Sequence, residues 1–209
     1  ERQVPLPSAL GGNQVGLIVA SGTIFDGEQA PGSIGGDTLA RLIRQAKNDE
    51  NIKALVMKVN SPGGSAFASE VIRSELLDFK EIGNPLVVSM GGVAASGGYW
   101  IATAANEIWA NPTTITGSIG VFGLLPNFQD LSSRFGASFD AVKTHPSADL
   151  LGVTRPKSEQ EMKVLQTHVE SLYQKFLNRV AKGRGMNLRK VSQYAEGRVW
   201  MGLDAHELG

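Results

Sequence analysis

Asn60-Ser61-Pro62-Gly63-Gly64-Ser65 and Gly91-Gly92-Val93-Ala94-Ala95-Ser96-Gly97-Gly98 are the two stretches whose residue types and spacing could do chemistry. In the first, Pro62 removes one amide donor and fixes a dihedral, while the glycine pair lets backbone come close to another chain or ligand. Between a strand end and a helix start, such a turn presents N–H groups that can bind an oxyanion or an extended peptide. In the second, Ser96 stands among Gly and Ala, where its hydroxyl is sterically open and the next amide can help hold developing negative charge. Each stretch also has a plainer reading. The first can be only a tight strand-to-helix turn, and the second a small-residue helix contact whose serine bonds its own backbone. Ala94 stands two residues before Ser96, so the G-x-S-x-G elbow of the α/β-hydrolases is absent.

The elements that must position these stretches can be read from periodicity. Gln14 to Ala20 is a short, β-branched, apolar run that predicts a strand leading into a Gly-rich loop. Asp37 sits where a helix cap would, and Leu39, Leu42, Ile43 and Ala46 then recur at helical spacing. Ile52 to Val59 predicts a strand that breaks on the Asn60 turn, and a helix is expected from about Ala66 to Ile82. Leu86 to Met90 predicts a third strand, followed by a helix through the small residues Ala94 to Ala102. Glu107 to Ala110 and Ser138 to Val142 add two short strands, and Ser158 to Arg184 predicts the longest helix. This alternation with short connections predicts an α/β fold with a mixed, largely parallel sheet built from repeated crossover units and flanked by helices. Residues 1–14 are expected to be a trimmed lead-in, and residues 15–209 a single domain.

Composition narrows the function classes. The chain has 209 residues, 20 Lys and Arg against 20 Asp and Glu, and no cysteine. Without cysteine there is no disulfide framework, thiolate zinc site or cysteine nucleophile. Zero formal charge without local segregation disfavours a nucleic-acid or anionic-membrane binder. The three histidines form no H-E-x-x-H pattern, and neither a Walker loop nor a dinucleotide-binding glycine motif is present, so no metal, nucleotide or other cofactor is expected. The chain opens on Glu1-Arg2-Gln3 without an initiator Met or signal peptide, and no apolar run of roughly 18 residues occurs. It reads as soluble and trimmed at its start, with a trimmed C-terminus also expected.

Taken together, the two stretches resemble the signal peptide peptidase A family of serine peptidases, within the Clp protease/crotonase superfamily. The resemblance is carried by N-S-P-G-G-S at 60–65, A-S-E-V-I-R at 68–73, M-G-G-V-A-A-S-G-G-Y-W-I at 90–101, N-P-T-T-I-T-G-S-I-G-V at 111–121 and G-x-V-W-x-G at 197–202. It runs from about Val15 to the end and is nearest to the C-terminal half of double-length bacterial members. The resemblance implies a Clp/crotonase-like fold, with Ser96 as nucleophile, the amides of Gly63 and Gly97 as oxyanion donors with Gly64 beside them, and Ser118 orienting a lysine base. It also implies cleaved signal peptides or other short apolar peptides as substrates, a homo-oligomer such as a tetramer, and a place at the bacterial inner membrane facing the periplasm. An apolar substrate groove would lie near Phe67, Phe122 and Leu124.

The base is where this sequence departs from the family pattern. Single-length members carry it in a segment like K-S-G-x-x-K-D. This chain reads Lys143-Thr144-His145-Pro146-Ser147-Ala148-Asp149, which puts Ala148 at the expected base. Double-length members supply the lysine from their N-terminal half, which would be this chain's partner. Lys143, Lys58 and His145 are the internal alternatives, each with a plainer reading as a surface or sheet-face residue. His168 reads as structural or exposed on its helix. Two further readings stay open: a non-catalytic assembly half, and an acyl-CoA hydrolase or hydratase in which paired amides polarise a thioester.

Overall fold

The computed structural model describes residues 12–209, so most of the lead-in expected over 1–14 lies outside the described residues. These residues form two compact units, one of residues 12–120 with 175–209 and one of residues 121–174. Among them no helix is long and apolar enough to cross a membrane.

The first unit is an α/β layer structure. Its strands are β1 (Gln14–Ser21), β2 (Ile24–Phe25), β3 (Ile34–Gly35), β4 (Ile52–Ser61), β5 (Leu86–Ala95), β6 (Glu107–Trp109), β7 (Ile115–Gly117) and β8 (Val199–Met201). The main sheet has the order β1-β4-β5-β7-β8, with β6 also paired to β5. All its pairings are parallel except β7 with β8. This is the mixed, largely parallel sheet that the alternation predicts, with β2 and β3 as a small parallel pair beside it. The helices of this unit include α1 (Gly36–Asn48), α2 (Ala66–Glu81) and α3 (Gly97–Ala102).

Alternation explains how the core forms. In β4, Leu55, Met57, Val59 and Ser61 are buried while Lys58 and Asn60 between them are exposed, so one strand face is committed to the interior. The buried face meets α1 through Leu39 and Ile43 and α2 through Ile72, Leu76 and Phe79, all fully or nearly fully buried. Each such side chain contributes about 1.5–3 kcal/mol on burial. The α2 helix starts where it does because Ser65 caps it, its hydroxyl accepting the Ala68 N–H at 3.1 Å.

The second unit holds α4 (Gln129–Arg134) and the start of α5 (Glu159–Arg184), whose later turns belong to the first unit with α6 (Leu188–Tyr194) and α7 (Gly202–Leu208). A capping box opens α5: the Glu161 N–H donates to Ser158 Oγ at 3.2 Å, and the Ser158 N–H donates to Glu161 Oε2 at 2.9 Å. Three expectations about the elements change. Asp37 lies inside the first turn of α1, whose N-cap is Gly35, so its carboxylate sits by the helix N-terminus without capping it. Ser138 to Val142 forms no strand, because its apolar residues find no pairing edge and Phe139 and Val142 stay exposed. Ala94 and Ala95 belong to β5 rather than to a helix, since each pairs with β7 and helical geometry begins only at Gly97.

Candidate active site

Ser96 sits between the end of β5 and the start of α3 with φ 52° and ψ −119°, a backbone conformation that L residues rarely adopt. A non-glycine residue there stores about 1–3 kcal/mol of strain and persists only where its surroundings hold it. Here the Ser96 N–H donates to the Gly117 carbonyl at 2.9 Å, and its carbonyl accepts the Trp100 N–H at 2.8 Å. The serine is therefore clamped from β7 on one side and from the first turn of α3 on the other. Although G-x-S-x-G is absent, Ser96 occupies a strained strand-to-helix turn.

The Gly63 turn closes on this serine. A Cβ on Gly63 would stand 2.7 Å from both the Gly97 nitrogen and Ser96 Cβ, and Gly63 has φ +106°. Only glycine permits that approach. At Gly97 a Cβ would lie 3.3 Å from the Gly64 nitrogen, so the two backbone segments pack amide against amide. The Gly63 N–H donates to Ser61 Oγ at 3.1 Å, while no backbone acceptor is found for the Gly64 or Gly97 N–H among the described residues. Strand β2 straps the turn from outside: the Ile24 N–H donates to the Gly63 carbonyl at 2.9 Å, and the Ile24 carbonyl accepts the Ser65 N–H at 2.9 Å. The Ser65 hydroxyl donates to the Asp26 carboxylate in a short hydrogen bond.

Strand register brings in the second serine. Ala94 pairs with Thr116 and Ala95 with Gly117, so Ser96 and Ser118 are the next residues along two neighbouring strands. Thr116 Oγ1 donates to the Ala94 carbonyl at 2.8 Å, and the Ser118 N–H donates to the Arg198 carbonyl at 2.7 Å. Ser118 shares with Ser96 a positive φ, 48°. The structure thus gathers Ser96, Ser118, Gly63, Gly64 and Gly97 in one corner of the first unit. Among the described residues no side chain hydrogen-bonds to either serine hydroxyl.

Two of the three internal base candidates are engaged by neighbours within the second unit. Lys143 Nζ is 3.0 Å from both oxygens of Asp149. His145 Nδ1 accepts the Ser147 N–H at 3.2 Å, and Lys143 and His145 line one cleft of the second unit. The Ala148 N–H donates to the His145 carbonyl, which makes the expected base position a turn residue. Lys58 is exposed on the face of β4 opposite Val59 and Ser61. Of the expected groove residues, Phe67 is exposed at the start of α2, and Phe122 and Leu124 are exposed in the second unit.

A charged cluster that no sequence motif announces ties α2 to α3. The Trp100 indole N–H donates to Glu70 Oε2 at 2.6 Å, and Arg179 Nη2 lies 2.7 Å from Glu70 Oε1. Arg73, almost fully buried, donates to Thr103 Oγ1 at 2.9 Å, and desolvation lowers its pKa. Glu70 thereby joins α2, α3 and the later turns of α5. The only sequence signal was a Glu and an Arg three apart inside a predicted helix.

Comparison with known proteins adds an independent line. The model of peptidase family S49 matches residues 78–209, a span that includes Ser96, Gly97 and Ser118 and begins after the Gly63 turn. Protease 4 of Salmonella typhi is 46% identical over 198 residues, which is 95% of this chain and 32% of that protein. Protease 4 of Haemophilus influenzae is 44% identical over 94% of this chain and 32% of its own length. A putative signal peptide peptidase SppA of Enterococcus faecium is 35% identical over 80% of this chain and 48% of its own. The chain spans about a third of the length of the two Protease 4 relatives.

Proposed function

The chain belongs to peptidase family S49, and from that premise we propose that it carries the nucleophile side of a serine peptidase that works through an acyl-enzyme. The observation that carries this reading is Ser96 in its strained turn, with the Gly63 and Gly97 backbone pressed against it and Ser118 in step on the next strand. Ser96 Oγ attacks the scissile carbonyl carbon and its proton passes to a lysine. The oxyanion forms against the amides of the Gly63-Gly64 turn and of Gly97, where the Gly63 N–H must turn from Ser61 Oγ to take part and the Gly64 and Gly97 N–H groups have no backbone acceptor among the described residues; the amine leaves with the lysine's proton, and water then hydrolyses the ester. Ser118 orients the lysine. A buried lysine can serve as base because desolvation favours its neutral form.

The lysine comes from an N-terminal half that is this domain's partner. Ala148 at the expected position, and Lys143 tied to Asp149, support that assignment. The substrates are cleaved signal peptides and other short unfolded apolar peptides, in keeping with the printed name of the Enterococcus relative. The working form is a homo-oligomer, such as a tetramer, at the bacterial inner membrane facing the periplasm. A second reading, a non-catalytic assembly half, is favoured by the lack of any basic side chain bonded to Ser96 Oγ among the described residues.

One experiment separates these. A fluorogenic apolar peptide is offered to the chain alone, to the chain with a separately supplied N-terminal half, and to the Ser96→Ala variant of that pair. Cleavage that needs both pieces, and that falls by at least about 10⁴-fold in Ser96→Ala, supports the shared site. Full cleavage by the chain alone would overturn the shared base, and an unaffected Ser96→Ala pair would leave this domain an assembly half.

A further inference from the structure

Strand β5 is irregular just before it reaches Ser96. Its pairing with β4 runs in step from Leu55 with Leu86 to Val59 with Met90, then jumps to Ser61 with Ala94. Two residues of β4 are thus matched by four of β5, and Gly91, Gly92 and Val93 bulge out of the ladder. Beyond the bulge β5 also changes its other neighbour. Val87 to Ser89 pair with β6, whereas Val93 to Ala95 pair with β7, the strand that leads into Ser118. At about 3.3 Å per residue, an unbulged β5 would carry Ser96 roughly 7 Å further along β4, past the Gly63 turn. The bulge therefore sets how far Ser96 extends and which strand lies beside it.

A bulge of this kind leaves main-chain groups without ladder partners, and side chains must hold them. Asn60 Oδ1 accepts the Val93 N–H at 3.2 Å, and Thr114 Oγ1 donates to the Gly91 carbonyl at 2.8 Å. The fit over Gly91 is close, since a Cβ there would stand 2.8 Å from Asn60 Oδ1. The main chain of Asn60 is engaged as well, its carbonyl accepting the Gly22 N–H at 3.0 Å. Yet Asn60 lies on the strand face opposite buried Ser61 and is itself exposed.

We infer that Asn60 is a positioning residue for the reaction, its side-chain oxygen locking the β5 bulge that sets Ser96 opposite the Gly63 turn and beside Ser118. It acts through Val93 and the two alanines that follow. The inference rests on the peptidase reading of Ser96. It requires an acceptor at position 60 and does not require the amide NH₂ of the asparagine.

The test uses whichever form cleaves peptide, the chain alone or the chain with its N-terminal half. Asn60→Ala is expected to lower kcat about tenfold with KM within about twofold, because a displaced nucleophile loses rate rather than affinity. The melting temperature should move by no more than about 4 °C, since one exposed hydrogen bond is lost. Asn60→Asp keeps the acceptor and should return kcat to within about threefold of the parent. Amide exchange at Val93 in the 209-residue chain should accelerate in Asn60→Ala and stay protected in Asn60→Asp. A faster-exchanging Val93 with parental kcat would overturn the positioning role and leave the peptidase reading standing, as would an Asn60→Asp variant as slow as Asn60→Ala. A parent protein that cleaves nothing in either form sinks both.

Discussion

The corner around Ser96 and the stretch from 121 to 174 are held in opposite ways. Around Ser96 the restraints are main-chain hydrogen bonds, glycine contacts and strand register, backed by the buried core of β4, β5 and α2. In residues 121–174 the one buried residue is Glu161, and it is charged. Large apolar side chains there stand in the open, Phe122 at 90%, Phe135 at 82% and Val142 fully exposed. The order in this stretch comes instead from Arg155, which bonds Asp149 and Glu161 together, and from the capping box at Ser158. A nucleophile needs placement to a fraction of an ångström, and packing supplies that. Ion pairs at a solvent boundary supply less, and they answer to pH.

If this contrast is right, equal truncations on the two sides should differ most in stability. Phe79→Ala, at a side chain with no exposure, should cost about 3–5 kcal/mol in denaturant unfolding. Phe135→Ala, in the second unit, should change it by no more than about 0.5 kcal/mol. Similar losses at both positions would show that residues 121–174 share the core's cooperativity and would break the comparison.

Within the Ser96 corner, adding one methyl should matter more than removing a ring elsewhere does for catalysis. Gly63→Ala places a Cβ at 2.7 Å from the Gly97 nitrogen and must also adopt φ +106°. We expect kcat in the peptide assay to fall by about 10²–10³, the loss typical of one oxyanion donor, with a smaller change in KM. Parental kinetics for Gly63→Ala would mean that the turn does not form the oxyanion site.

How much of this was legible in the sequence depends on the kind of signal. β1, β4, α1, α2 and α5 follow from apolar periodicity and emerge close to their expected bounds. In sequence Ala94 and Ala95 suit a helix, because alanine carries no strand preference, and it is their cross-strand partners in β4 and β7 that make them a strand. Ser138 to Val142 shows the converse. Its pattern suits a strand, but no edge is there to receive it. The gathering of Ser96, Ser118 and the Gly63 turn could be anticipated from motifs taken together. The contacts of Asn60 with Val93 and of Glu70 with Trp100 could not, since each depends on register or helix packing between residues about 30 positions apart.

The smallest expected effect, and the one specific to the second unit, is on its response to acid. Arg155 donates to both carboxylates, at 2.7 and 2.6 Å to Asp149 and at 2.9 and 2.5 Å to Glu161. Those bonds hold the Asp149 carboxyl well below the usual carboxylate range, with Lys143 adding to the effect. For Glu161 the Arg155 bonds, followed by the Ser158 N–H, bring the pKa down to about 2. A carboxyl whose folded pKa lies below its unfolded value of about 4 stabilises the fold above that value and loses the contribution as pH falls through the folded pKa. The Glu161 half of the tie should therefore be intact at pH 4 and come apart as the pH approaches 2, with the Asp149 half persisting to lower pH. Carboxyl carbon shifts followed by NMR give the midpoints directly. Midpoints near 4 for Asp149 and Glu161 would mean that Arg155 does not hold the stretch, whereas an Arg155→Gln variant should raise both midpoints, leaving only the smaller pulls of Lys143 and Ser158.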